Sequence, residues 1–271
     1  MDFLSRGNAP FSEELWSKID AAAIDAAKKA MVGRRFLSLY GPLGAGALSV
    51  PVDDLNAEKY ADDGAMVTTA NRAFKEIPLL YQDFSLSWRD LEYSEKNGLP
   101  VDLTAASQAA VAAARAEDKL IFFGSQALGS SGLFGAKDAD HLKKSDWTQG
   151  ENPFVDISKA LELLTEKGFW GRMALVLSPN LYAKLERIQP GTGRLELERV
   201  SGLLDGRVLR ANVLGPNRAI LVAAEPVNMD LAVGVDISVS YLELKDLNHS
   251  LRIVETALPR IKRGDAIVVF D

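Results

Sequence analysis

Apolar residues recur at helical spacing in two long stretches of this chain. Trp16, Ile19, Ala23, Ala27 and Ala30 follow one another at three- and four-residue steps, with Met31 beside the last. That spacing lays one small-residue stripe, anchored by an indole, along a single helix face. Ser12 stands at the N-cap position, and Glu13 and Glu14 set negative charge against the positive end of the helix dipole. The pattern predicts a helix over 12–31, stopped by Gly33. The second stretch runs from Asp102 or Thr104 to about Leu120 and holds Ala105, Ala106, Ala109, Ala110, Ala112, Ala113 and Ala114. So much alanine gives high helix propensity and a thin rod that neighbours can approach closely. Glu117 and Asp118 close it, the apolar run Ile121-Phe122-Phe123 follows, and the chain turns at Gly124, Gly129 and Gly132.

Elsewhere the pattern is mixed. Residues 36–41 read as a strand ending at Gly41-Pro42. From Gly44 to Ala73 there is little periodicity, with acidic pairs at Asp53-Asp54 and Asp62-Asp63. A stretch of that length does not suit the inside of a compact domain, and a long two-stranded arm lying on another subunit suits it better. Its expected return strand is 77–86, with Pro78 at the strand start. A short helix over 88–96 ends at Asn97-Gly98, and the polar residues 136–152 read as a loop opening a second region. Then come helix 155–167, strand 173–177, helix 179–188, a Pro190-Gly191-Thr192-Gly193 turn and helix 195–204. Strands are expected at 208–213, 218–224, 230–243, 250–257 and 265–270. The alternation points to an α+β fold with two lobes.

Composition narrows the function. Of 271 residues 47% are hydrophobic and 25% charged, enough apolar material for a sizeable core. Thirty-seven acidic against 31 basic residues give a net charge of −6, which speaks against a dedicated nucleic-acid binder. With no cysteine, disulfides and thiolate metal sites are excluded, as a reducing cytosol would favour. The first residues lack the pattern of a secretion signal, and no run approaches the ~18–20 apolar residues of a membrane span. The expected location is cytoplasmic. Gly41-x-x-Gly44-x-Gly46 lacks the Lys-Ser/Thr ending of a phosphate loop, and Gly129-Ser130-Ser131-Gly132 lacks nucleophile-elbow spacing. His141 and His249 lie far apart in what read as polar loops. No catalytic residue, metal site or cofactor is expected.

Several segments, in order, carry a resemblance: Phe3-Leu4, Ala9-Pro10, Trp16, Ile19-Asp20, Gly33-Arg34-Arg35-Phe36 and Tyr40-Gly41-Pro42-Leu43-Gly44. Phe84-Ser85-Leu86, Glu117-Asp118 with Ile121-Phe122 and Gly124, Gly129, Gly132-Leu133 and Asp236-Ile237-Ser238 before Tyr241 continue it. Across nearly the whole chain the sequence resembles family 1 (type 1) encapsulin nanocompartment shell proteins, and Leu185-x-Arg187-Ile188 with Thr192-Gly193 brings it nearest to myxobacterial iron-storage members. The resemblance implies the major-capsid fold of tailed phages, Hong Kong 97 type. Residues 1–43 would hold the N-terminal helix and the start of a peripheral domain, 44–86 the extended arm, and 87–135 the spine helix. An axial domain would span 136–224, with return strands of the peripheral domain over 225–271. Such subunits close into an icosahedral homo-oligomeric shell around a cargo enzyme, a ferritin-like iron-storage protein or a dye-decolourising peroxidase, captured by its C-terminal targeting peptide. No membrane and no specific nucleic acid is implied.

By the same resemblance the cargo peptide docks at Ala27, Met31, Arg34, Asp236, Ile237, Ser238 and Val239. The five-fold pore loop is Arg187, Gly191, Thr192, Gly193 and Arg194. Two departures stand out. Ser38 replaces an acid that many relatives carry, and Arg89, beside Trp88, occupies the position of the family's flavin-associated tryptophan, so no flavin is expected. The competing readings are a phage capsid subunit enclosing DNA and, far less supported, a protease or bacteriocin.

Overall fold

The computed structural model describes residues 3–52, 58–60, 67–69, 73–189 and 192–271. Helix α1 (Glu13–Ala30) starts where the Ser12 hydroxyl accepts the Leu15 N–H at 3.2 Å, and it buries Trp16, Ile19, Ala23 and Ala27. A single turn at Gly33–Arg35 leads into β1 (Ser38–Tyr40). Next, β2 (Ser49–Pro51), β3 (Glu58–Tyr60), β4 (Val67–Thr69) and β5 (Phe74–Glu76) form two antiparallel pairs, β2 with β5 and β3 with β4. The strand that returns alongside β2 is therefore β5. The expected return strand 77–86 instead becomes β6 (Leu79–Leu86), which joins the body, because Pro78 has no N–H with which to continue the first ladder.

Helix α2 (Trp88–Asn97) ends on Gly98 in the left-handed region. Helix α3 (Thr104–Phe123) extends beyond the expected 120, so the apolar run is the last turn of the rod. Ile121 and Phe122 are fully buried there in the larger core, with Phe36 and Leu133. Gly124 ends the helix at φ 68, and a Cβ there would overlap Ser130 O, which only glycine avoids. Within the expected 136–152 loop lies a short strand, β7 (Asp140–Leu142), held by the edge of a sheet.

The chain continues through α4 (Asn152–Glu166), β8 (Met173–Leu177), α5 (Pro179–Leu185), α6 (Glu196–Leu203), β9 (Val208–Arg210) and β10 (Ala219–Ala223). Then come β11 (Met229–Val233), β12 (Ser238–Lys245), β13 (Asn248–Ile261) and β14 (Ile267–Phe270). The expected strand 230–243 is thus two strands, and 250–257 is part of one much longer strand. His249 lies in β13 and His141 in β7, not in loops. His249 is buried against Phe11, at 4.8 Å between rings, and burial lowers its pKa.

Two five-stranded sheets organise these elements. In the first, β13 pairs antiparallel with β6, β11 and β12, and β1 adds in parallel beside β11. The second runs β7-β14-β10-β8-β9. Within residues 225–271, β11–β13 build the first sheet and β14 joins the second. The reason is visible in composition, since Ile267-Val268-Val269-Phe270 is apolar throughout and needs cover on both faces. Strands β8 and β10 are likewise buried at every position. The first sheet, α1 and the alanine face of α3 share a second core around Trp16, Ile19, Phe84, Leu251 and Ile253. Alanine on both helices lets their backbones approach closely, so the helical stripe is consumed by intrachain packing.

Candidate functional site

The sequence around Gly33 forces three elements together. Asp118, from the inner face of α3, accepts the N–H groups of Val32 (3.0 and 3.1 Å to its two oxygens) and Gly33 (2.8 Å). These are donors that the start of the Gly33–Arg35 turn leaves without a partner in a preceding turn. A Cβ at position 33 would overlap Ile121 Cδ1, so glycine is required for this approach. Burial pushes the Asp118 carboxyl up to about 7. The two backbone hydrogen bonds work the other way, while the neighbouring Glu117 charge raises it further.

The next residue, Arg34, turns to the opposite side. Its Nε donates to Glu117 Oε2 at 2.8 Å, its Nη1 to Asp236 Oδ1 at 2.7 Å, and its Nη2 to Glu255. Glu117 and Glu255 are wholly buried and Asp236 is exposed. One guanidinium thus ties together the turn after α1, the rod α3, strand β13 and the loop before β12. Burial works to lower the Arg34 pKa, but the hydrogen bond and charge of Glu117, then Glu255 and Asp236, outweigh it and raise it. Burial and then the negative charge of Glu117 push Glu255 well above the usual carboxylate range.

Of the seven expected docking residues, Arg34 and Asp236 belong to this knot, and the others lie at different depths. Ala27, Met31, Ile237 and Val239 are buried in the α1–α3–first-sheet core. Only Asp236 is exposed, with Ser238 half-buried; Ser238 Oγ donates to Asp236 O at 2.8 Å. Ser38, in β1, accepts at 2.8 Å from Nη2 of Arg172, just ahead of β8. Sequence reasoning singled out Arg34 and the Glu117-Asp118 pair but not Glu255, whose position inside an apolar strand was the available signal: a lone acid among Ile253, Val254 and Ala257 needs a partner.

Ile188 and Leu195, on either side of the expected pore loop's tip, form an antiparallel bridge. Gln189 N donates to Arg194 O at 2.8 Å, and Thr192 Oγ1 donates to Gln189 O at 3.1 Å. Thr192, Gly193 and Arg194 are exposed. Arg187 is turned away from them, donating to Gly150 O at 2.8 Å and to Thr148 O. Gly191 lies outside the described residues, as do the acidic pairs Asp53-Asp54 and Asp62-Asp63.

Comparison with known proteins shows the family and the fold. Residues 1–258 match the family model described as encapsulating protein for peroxidase. The chain belongs to this encapsulin family. It is 39% identical to the type 1 encapsulin shell protein of Myxococcus xanthus, covering all of this chain and 96% of that one. The encapsulin fold superposes on the virus-like particle of Pyrococcus furiosus with a TM-score of 0.76 at 24% identity, over 95% of this chain and 100% of the other. It also superposes on the capsid of Myoviridae phage XM1, with a TM-score of 0.61 at 14% identity over 88% and 90% of the two chains. The fold is that of phage capsid proteins, and this encapsulin is a structural protein, not an enzyme. Among the described residues, no helix is long and apolar enough to cross a membrane.

Proposed function

We propose that this protein is the shell subunit of an icosahedral compartment in the cytoplasm, assembled from many copies of the chain around a guest peroxidase. The observation that carries the reading is the family match over nearly the full length. Surface chemistry supports it. Leu48, Phe74, Leu79 and Tyr81, at the arm base and on β6, are all more than half exposed. Apolar residues gathered at one end of an arm mark a surface that another chain covers.

The guest's terminal peptide docks on the rim formed by Asp236 and Ser238, with Arg34 beneath. Ala27, Met31, Ile237 and Val239 shape that rim from below. Arg34 acts by fixing Asp236, since its own donors already hold carboxylates of this chain. A basic group on the peptide therefore complements this face better than an acidic one. The 187–194 loop lines the opening at the five-fold axis.

Electron microscopy of particles purified from their native source, with mass spectrometry of their contents, tests the reading. Closed hollow shells holding a peroxidase, with the 187–194 loop at the five-fold axis, are expected. Monomers at high concentration, or particles filled with DNA, would overturn it, and a ferritin-like protein inside would change the guest but not the shell.

A further inference from the structure

A cleft of about 400 Å³ lies on the side of the Gly33 turn away from Arg34, where the end of α1, the middle of α3 and the segment 208–213 meet. Four cationic side chains line it: Lys29, Arg35, Arg115 and Arg210. They come from four different parts of the chain and are all exposed. None has a carboxylate within ion-pair distance among the described residues. By contrast, Arg6, Arg34, Arg252 and Arg260 each meet an acid across elements at 2.5–2.8 Å.

Two acids also line the cleft, and the charge of Arg35 acts on one of them, Asp118, but two carboxylates do not offset four cations. Asp118 spends both oxygens on the Val32 and Gly33 N–H groups, and Glu186 is a single exposed carboxylate. Lys29 stands in the last turn of α1, where a cation answers the helix dipole. That explanation does not reach Arg115, in the middle of α3, or Arg210, at the end of β9. Arg35 already donates one Nη2 bond to Lys29 O at 3.1 Å, which holds its guanidinium at the mouth. Arg210 lies over the Tyr182 ring at 5.6 Å, within cation–π distance.

We propose that this cleft is a binding site for a small oligophosphate anion. Guanidinium forks match the paired oxygens of phosphate. Four cations around one cleft, outnumbering its two acids, favour a ligand of multiple negative charge over a single carboxylate. The site is separate from the guest-docking rim and does not depend on what the shell encloses.

Equilibrium dialysis of the assembled, emptied shell against tripolyphosphate, and separately against ATP, at constant ionic strength tests this. Saturable uptake of one anion per chain is expected, weakened about tenfold in Arg115→Gln, as loss of one charge-assisted contact implies. Arg115→Lys should recover part of the affinity. Tighter binding of tripolyphosphate would identify a free oligophosphate, and tighter binding of ATP a nucleotide; either supports the site. If Arg115→Gln shells do not form, Arg210→Gln serves the same purpose. No saturable uptake of either anion by the unaltered shell, or uptake unchanged in both variants, would overturn it.

Discussion

Arg34 and Arg35 are neighbours in sequence, yet they stand in opposite electrostatic settings. Arg34 is one cation among three carboxylates, two of them wholly buried. Arg35 is one of four cations around a cleft whose acids are spent elsewhere or exposed. The turn at Gly33 sends them to the two sides of α3, and each then takes the charge environment of the surface it meets. A basic pair can thus hold a structural tie and an open cationic surface in adjacent positions. Buried charge is costly to strand and exposed charge is not.

Removing Arg34 should produce the largest effect. Arg34→Ala leaves Glu117 and Glu255 buried without a cation, a loss of roughly 3–5 kcal/mol. Thermal melting and particle imaging should show unstable or unassembled subunits; a shell of ordinary stability would mean the knot is not structural.

Next is the pH dependence written into the same turn. Asp118 titrates near 7 in the folded chain and near 3.9 when unfolded, so between those values the folded state binds the extra proton. Its contribution to stability is present below the lower value and lost as pH rises through about 7. Glu255, held up by burial, works in the same direction. Urea unfolding at pH 5 and pH 7 should show lower stability at pH 7, and Asp118→Asn should shrink that difference. An unchanged difference in the variant would assign the slope elsewhere.

The smallest effect belongs to the cleft. Arg115→Gln should change stability by no more than about 0.5 kcal/mol in either direction, as expected for an exposed side chain with no ion pair. Its melting temperature compared with that of Arg34→Ala is the direct contrast between the two sides. A large loss in Arg115→Gln would show that the cleft is structural too.

Much of this was legible in the chain. The stripe from Trp16 to Ala27 and the alanine run of α3 specify their helices through local propensity and periodicity, which need no partner. Ser12 and Gly98 mark helix ends by chemistry confined to one turn. The late strands were legible as apolar runs, but their limits were not: 230–243 is interrupted and Asn248–Ile261 is a single strand. Partners set strand length, and β13 extends as far as β6, β11 and β12 give its backbone hydrogen bonds.

The order of the residues by itself determined the helices, the absence of thiol chemistry and the wording that places the chain in its family. Those properties are local or compositional. Tertiary structure alone decided that β14 closes the second sheet, that Ala27 and Met31 are buried, and that Arg34 is tied while Arg35 is open. Each of these depends on residues tens to hundreds of positions away. Sequence spacing carries no measure of such distances until the backbone has folded back and the buried groups have found their hydrogen bonds.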